Sequence, residues 1–570
     1  MTSLHVNPVV APDIPPDLRW LSSEDDRGSL GRWRGRVVLL DFWTRSCVNC
    51  AQAGVELDRL VAPYGDRVQL VGVHSPRFPA ERSLDVVRAG AAQLGISHPV
   101  VNDPDLRLWG LYGLQAWPTV VVIGPDGSLV TSAVGESEIS RLGPLLARLA
   151  RFSTTGPPPP TVSRTGSSRG RELRHPNRLL AVGPDRWLVS EERGDMVVVV
   201  GPDFEIEARF EGFVDPRGLC ELPDGRIAVA DTGRHQVVAL DPESGLVEAL
   251  VGTGRRGERR VRPGTPGREA DLASPHDVAV WGDRLVIAVA GHHQLLAVPA
   301  PAVRSGVGPV EMVAGSSAEG HKDGMARRAR LAMPTALLAT PDRLWFVDAD
   351  SSLLRWVGGR QGDGAEVQTA SGRSPATSGH VDGPAQQALL QHPAGLAMDR
   401  NRRILIADVF NGAVRRFDPA TGQMETVSSG LAEPTAVATT SGTTDDGAEI
   451  VVVERAANRL TRHPLRPRIE TGPRSTFGVP STKVRSRFEL VATGARANLV
   501  ITAEPPELVE SVTGTGAHRI VELGGNQQRG VIRITVNAEC DEVCTLDHQT
   551  WSIPVELDPD GTGTIPLILR

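Results

Sequence analysis

Mainly apolar residues run over 37–42, recur at helical spacing at Val55, Leu57, Leu60, Val61 and Tyr64, and predominate again over 68–73. A short continuous apolar run is what a strand buried on both faces shows, and the spacing between the two runs marks one face of a helix. Two further runs, 120–123 and 129–134, flank Gly124-Pro125-Asp126-Gly127, a hairpin turn signal. The segment up to about Arg151 therefore reads as α/β, with a helix following the first strand. Periodicity then stops. Four consecutive prolines from Pro157, followed by Ser, Gly and Arg, have the composition of an extended or flexible tether.

The next segment repeats itself. A proline opens six similar units, at Pro176, Pro216, Pro275, Pro334, Pro393 and Pro434. After each comes a short apolar strand, a turn and a second apolar strand. That second strand meets a fixed position: Glu191, Asp231, Val289, Asp348, Asp408 and Glu454. Six residues further on stands an apolar residue: Val197, Val237, Leu295, Leu354, Val414 and Leu460. Four short strands fit in about 40 residues, and six such sheets close into a propeller ring. Acids occupy five of the six fixed positions. They read as strand-end acids accepting N–H groups of the following turn, with a ring of channel ligands as the alternative. From about Arg466 onward the pattern alternates with little helix signal, which predicts a small all-β sandwich. The domain reading is thus 10–152, a linker at 153–172, a six-bladed propeller at 173–465 and a β-sandwich at 466–570.

Net charge is −7, which gives no support to nucleic-acid binding. Only Lys322 and Lys483 are lysines, so nearly all of the 61 basic residues are arginine. Residues 1–21 have neither a basic start nor an apolar run and do not read as a signal peptide. No apolar stretch is long enough for a membrane helix, so a cytoplasmic location is expected. In such a reducing compartment a close cysteine pair is catalytic, redox-sensing or metal-binding rather than a permanent staple.

Cys47-Val48-Asn49-Cys50 is such a pair. A cysteine at a helix N-terminus faces unpaired N–H groups and the positive end of the helix dipole, which lowers its pKa. A second cysteine three residues on lies in the same first turn, where it can attack a mixed disulfide. Zinc would need four ligands, and neither His74 nor His98 has partner spacing, so no metal and no cofactor is expected. Thr44-x-x-Cys47 partly matches a peroxidase site but lacks its preceding proline. Arg45 reads either as a thiolate stabiliser or as a solvated side chain. His235, His292 and His293 read as solvated, and Cys220 as a small buried hydrophobe.

The ordered set Val38-Leu39-Leu40-Asp41-Phe42-Trp43, Cys47, Cys50 and Trp117-Pro118-Thr119 resembles the thioredoxin superfamily. The resemblance implies Cys47 as nucleophile, Cys50 as resolving thiol and Pro118 as a cis-proline. It implies Asp41 as a buried proton acceptor, against a plain strand-end acid. Trp43, Trp117 and Thr119 would position substrate. Val48-Asn49 stands where Gly-Pro is usual and Ser46 where tryptophan is. Residues 78–101 add a helix and a strand, as in membrane-anchored thiol reductases and peroxiredoxins. Pro216-Arg217-Gly218-Leu219 and His392-Pro393-Ala394-Gly395-Leu396, each leading to its strand-end acid, resemble NHL repeats. The whole order is similar to the NHL repeat-containing protein 2 family, whose propeller is an interaction platform.

The expected function is a thiol–disulfide oxidoreductase acting on protein thiols or disulfides. Its propeller recruits a protein partner to an exposed Cys47. The alternatives are a scaffold or redox sensor dominated by the propeller, and a propeller enzyme with a channel-bound ligand. Cys540 and Cys544 read either as structural cysteines or as an internal redox partner for Cys47.

Overall fold

The computed structural model describes residues 9–21, 28–154, 172–258, 260–300, 308–358, 364–372, 378–440, 449–465 and seven strands between 482 and 568. The proline-rich stretch, Cys540 and Cys544 lie outside the described residues. No helix among the described residues is long and apolar enough to cross a membrane.

The first domain runs β1 (Arg19–Trp20), β2 (Val37–Trp43), α1 (Val48–Val61), β3 (Val68–His74), α2 (Leu84–Gln93), β4 (Val100–Asn102), α3 (Arg107–Leu111), β5 (Thr119–Ile123) and β6 (Leu129–Val134). The sheet order is β1-β4-β3-β2-β5-β6. β2 is parallel to β3 and antiparallel to β5. Every residue of β2 and β3 is buried, which is why both read as mainly apolar runs without alternation. One face of the sheet packs Trp33, Phe42 and Trp109, the other Leu39, Leu57 and Leu146. This is the thioredoxin-like α/β fold that the sequence predicts.

The repeat segment forms six sheets of four, four, four, five, five and three strands. Each innermost strand begins at its repeat proline, and each second strand ends at the fixed position. Neighbouring innermost strands pack on one another around the whole circle, the last against the first, so the ring closes. They approach so closely that a Cβ on Gly395 would lie 2.8 Å from Ala436 Cα, and one on Gly218 2.9 Å from His276 O. That crowding explains the glycine two residues after the proline in these two blades. A register shift follows the proline in every blade and re-aims the next side chains toward the axis.

The five acids are structural, but they hold a different segment from the one expected. Each accepts the amide two residues before the proline of its own blade: Glu191 from Arg174 (2.8 Å), Asp231 from Val214 (2.7 Å), Asp348 from Ala332 (2.9 Å), Asp408 from Gln391 (2.7 Å) and Glu454 from Ala432 (2.7 Å). The amide directly before the proline is taken by the preceding blade in four cases. Asn458 accepts from His175 (2.8 Å), Asp195 from Asp215 (2.9 Å), His235 from Ser274 (3.2 Å) and Ser352 from His392 (3.1 Å). All four acceptors sit at φ between 52° and 56°, the left-handed conformation that ends the turn between second and third strands. His235, read as solvated, is therefore a buried blade-to-blade acceptor. His292 is also buried, against Gly257 O (3.0 Å), and His293 contacts Ala332 O. Cys220 is half-buried, and burial pushes its thiol up to about 11.

Two blades carry a further device. Arg355 and Arg415 are fully buried. Arg415 donates to Asp408 (2.9 Å), Asp382 (2.6 Å) and two carbonyls, and Arg355 does the same with Asp348 (2.8 Å) and Asp323 (2.7 Å). Asp323 and Asp382 also accept from the amides of Thr369 and Thr426 on the outer strands. A buried ion pair of this kind is costly to break, because the partner left behind keeps its charge without solvation.

The C-terminal unit has seven described strands, Thr482–Thr493, Ala497–Glu504, Val509–Thr513, His518–Leu523, Arg529–Ala538, Gln549–Leu557 and Thr562–Ile568. Thr482–Thr493 pairs with Gln549–Leu557 over its first residues and with His518–Leu523 and Thr562–Ile568 over its later ones. A strand that changes partners midway is how the two layers of a sandwich are joined.

Replacing Arg415 with Ala strands Asp408 and Asp382 and should destabilise the propeller by about 3–5 kcal/mol in urea unfolding. Asp408→Asn with Arg415→Met, which removes charge from both partners, should recover part of that loss. Equal losses for the single and double variants would show that the pair is not the source of the effect.

Candidate functional site

Cys47 caps α1, and Cys47 and Cys50 are joined as a disulfide with Cα atoms 5.2 Å apart. The Cys50 amide donates to Cys47 Sγ at 3.1 Å, so one unpaired N–H of the first helical turn is directed at this sulfur. The first turn of α1 contains no acid, so nothing opposes the positive end of the dipole there.

The loop before the pair is held by Glu81, a residue the sequence reading missed. Glu81 is fully buried and accepts from the Ser46 amide (2.8 Å), Thr44 Oγ1 (2.9 Å) and the amides of Arg77 (3.0 Å) and Phe78 (3.0 Å). One carboxylate thus ties the cysteine loop to the loop after β3. The Pro79-Ala80-Glu81 turn was the available signal, since a proline then an acid at a helix start satisfies such amides.

Asp41 lies on β2 and is 3% exposed; its Oδ1 has no partner. Burial, with a smaller contribution from the charge of Asp58, raises its carboxyl to about 7. Trp43 is also fully buried, in a cluster with Cys47, Cys50, Val87 and Val100. It packs beneath the pair and is not open to a substrate, contrary to the positioning role expected of it. Gly72 on β3 leaves it room, since a Cβ there would lie 3.1 Å from Trp43 Nε1. Trp117–Pro118 is cis. Trp117 stacks on Trp109 with centroids 4.2 Å apart and donates to Ser75 O at 3.0 Å, while Thr119 Oγ1 donates to Ala116 O at 2.7 Å. His74 is buried and His98 half-buried, and desolvation lowers each to about 4, so both are neutral at pH 7.

The face that bears the pair is covered. Cys47 is 5% exposed, where an exposed thiol was expected. What covers it is the propeller, packed on this domain rather than merely tethered to it. Arg45, buried instead of solvated, forms a two-pronged pair with Glu433 (2.7 Å for the Nη2 contact), 388 residues away. Arg77 pairs with Asp350 and lies over the Trp117 ring. Phe78 packs against His392 and Phe410, with centroids 5.4 and 5.5 Å away. Gln93, on the added helix α2, donates to Glu192 at 3.2 Å, and Arg193 donates to Ala92 O. The added segment is thus a docking element.

Between the two domains lies a cavity of about 100 Å³, with Cys47, Arg45 and Ser46 on one side. On the other side are residues immediately before or after the repeat prolines, among them Asp215, Arg217, His276, Met333, Thr335 and His392. A second, smaller cavity joins Cys47 and Trp117 to Met333 and Asp350. The signal for this rim was present in the chain: five of the six residues before the prolines are polar, although they lead into apolar strands. Arg178, on the cavity wall, reaches across the ring: it donates to Thr335 O and to Thr435 O (3.1 Å) and lies 3.7 Å from Asp277. No cluster of metal-ligand type occurs among the described residues.

A family described as Thioredoxin-like matches residues 35–129, and one described as NHL repeat matches residues 213–240. NHL repeat-containing protein 2 of Bos taurus is 30% identical over 466 residues, covering 74% of this chain and 64% of that protein. Protein SUPPRESSOR OF QUENCHING 1, chloroplastic, of Arabidopsis thaliana is 28% identical over 460 residues, 73% of this chain and 42% of that one. Thiol-disulfide oxidoreductase YkuV of Bacillus subtilis is 26% identical over 132 residues, 23% of this chain and 87% of that one. The chain is a thioredoxin-like domain fused to an NHL-repeat propeller and resembles NHL repeat-containing protein 2, of whose length it spans just under two thirds.

The raised carboxyl of Asp41 fixes a sign for pH dependence. Its folded value, about 7, lies above its ordinary 3.8, so the folded state favours the neutral acid. The stability it contributes is complete below about 3.8 and is lost as pH rises through about 7. Asp41→Asn stays neutral throughout. It should exceed the parent in stability by up to about 4 kcal/mol at pH 8, and the gain should shrink steadily toward pH 4. A gain that is flat from pH 4 to pH 8 would contradict the assignment. Glu81→Ala should cost about 3–5 kcal/mol, because four donors lose a charged acceptor at once.

Proposed function

We propose that the protein is a thiol–disulfide oxidoreductase whose working pair is Cys47 and Cys50. The observation that carries this reading is the helix-start geometry: Cys47 caps α1 and its sulfur accepts the Cys50 amide at 3.1 Å. Such a sulfur is stabilised as thiolate and is the attacking group. Cys50, inside the first turn, resolves the mixed disulfide. Asp41, poised near 7, accepts the Cys50 proton as it does so. Cis-Pro118 with Trp117 and Thr119 forms the neighbouring wall against which a bound disulfide is aligned. The similarity to a protein named thiol-disulfide oxidoreductase over this domain supports the same chemistry. In a reducing compartment such as the cytoplasm the pair would cycle rather than act as a staple.

The rim of the propeller that carries the pre-proline residues is occupied by the thioredoxin-like domain. Recruitment of a protein partner by the propeller therefore falls to its opposite face or its outer strands. The 5% exposure of Cys47 favours a second reading, a redox sensor in which the bond forms and breaks without rapid turnover.

In the pre-reduced full chain, iodoacetamide should label Cys47 well before Cys50, with an apparent pKa below the ordinary ~8.5 of a free thiol. Cys50→Ser should accumulate a mixed disulfide on Cys47, and Cys47→Ser should form none. Equal labelling of the two thiols, or a pKa near ~8.5 for Cys47, would overturn the assignment of the nucleophile. Multiple turnovers with a coupled dithiol would exclude the sensor reading.

A further inference from the structure

We propose that the cavity between the two domains is a binding site for a small anionic disulfide or its thiol, a low-molecular-weight compound bearing carboxylate groups, presented to Cys47 without separation of the domains. This rests on the oxidoreductase reading and names its substrate class.

Size is the first argument. The cavity holds about 100 Å³, room for a cysteine-sized fragment and not for a folded surface. Its edges are tied on several sides, by Arg45–Glu433, Arg77–Asp350 and Gln93–Glu192, and Phe78 is wedged between His392 and Phe410. These contacts crowd the approach to Cys47, which is 5% exposed.

Charge is the second. Four arginines line the cavity, Arg45, Arg178, Arg217 and Arg455, against a single acid, Asp215. The other carboxylates that pair with them, Glu192, Glu433 and Asp277, are not part of the lining. Asp215 is itself paired with Arg217 at 3.3 Å, and burial pushes its carboxyl above the ordinary carboxylate range. Three buried polar atoms of the lining residues have no hydrogen-bond partner, Arg217 Nε, His392 Nδ1 and Ser46 Oγ, the last beside Cys47 in sequence. A carboxylate would take the first and the neighbouring guanidinium groups in the planar geometry that arginine favours.

The exchange balances as follows. The Cys47 thiolate attacks one sulfur of the bound disulfide RSSR; that S–S bond breaks and RS⁻ leaves. Cys50 gives its proton to Asp41 and attacks Cys47 Sγ, releasing the second RS⁻ and forming the Cys47–Cys50 bond. The pair loses two electrons and the substrate gains them. The reverse sequence, with excess small thiol as reductant, restores the dithiol.

The test is single turnover of the pre-reduced full chain with three disulfides of similar size: dithiodiglycolate (anionic), 2-hydroxyethyl disulfide (neutral) and cystamine (cationic). Free thiolates in water favour the cationic disulfide through simple attraction. The site should invert that order, with the anion oxidising the pair about tenfold faster than cystamine. Arg217→Gln and, separately, Arg455→Gln should each reduce the anion-to-cation ratio severalfold. Cystamine as fast as or faster than dithiodiglycolate in the parent chain would overturn the anion site while leaving thiol–disulfide exchange standing. Failure of all three to oxidise the pair would overturn both readings.

Discussion

Two backbone amides at the entrance of each blade have no strand partner, and a buried amide without one costs about 1–3 kcal/mol. The rest of the structure depends on how they are held. The amide two residues before the proline goes in five blades to an acid of the same blade, and the next one is taken in four blades by a side chain of the blade before. The Asn458–His175 bond carries this linkage from the sixth blade to the first. Because the same bonds recur, the entrance loops stand at one height on one face, and Asp215, Met333, His392 and Glu433 become a rim instead of scattered surface residues. The thioredoxin-like domain is seated on that rim.

Much of this was legible in the chain because it is periodic or local. The prolines and acids recur at nearly constant spacing, so the blades, their first and second strands and the buried residue of the third could be read directly. The cysteine pair, its strand and Trp117-Pro118-Thr119 carry their meaning in short order. What stayed hidden depends on partners far apart in sequence. Nothing near Arg45 indicates that Glu433 neutralises it, so a solvated side chain was the natural reading. His235 has no carboxylate at metal spacing, but that says nothing of an amide in the next blade. Glu81 was overlooked because its four donors lie in two loops that meet only once the sheet has formed. Trp43 reads as an aromatic beside an active site, and only the packing of α2 and β4 shows that it is enclosed.

The loop of residues 44–47 serves two neighbours. On one side Glu81 fixes it for the cysteines; on the other Arg45 bonds it to the propeller. Docking and redox state are therefore linked through one short segment. Any difference in docking free energy between the dithiol and the disulfide shifts the reduction equilibrium of the pair by the same amount. The propeller thus belongs to the environment that sets how the cysteines behave, and a severed thioredoxin-like domain would be a chemically different object.

Arg178 gives the ring a property that its blades alone would not. From the first blade it reaches carbonyls of the fourth and sixth and the carboxylate of Asp277 in the third. One guanidinium thus spans the ring at the level of the innermost strands. A ligand held on the opposite face of the disc has a mechanical route to the sulfur atoms, by shifting blades that this single guanidinium clamps together like spokes to a hub.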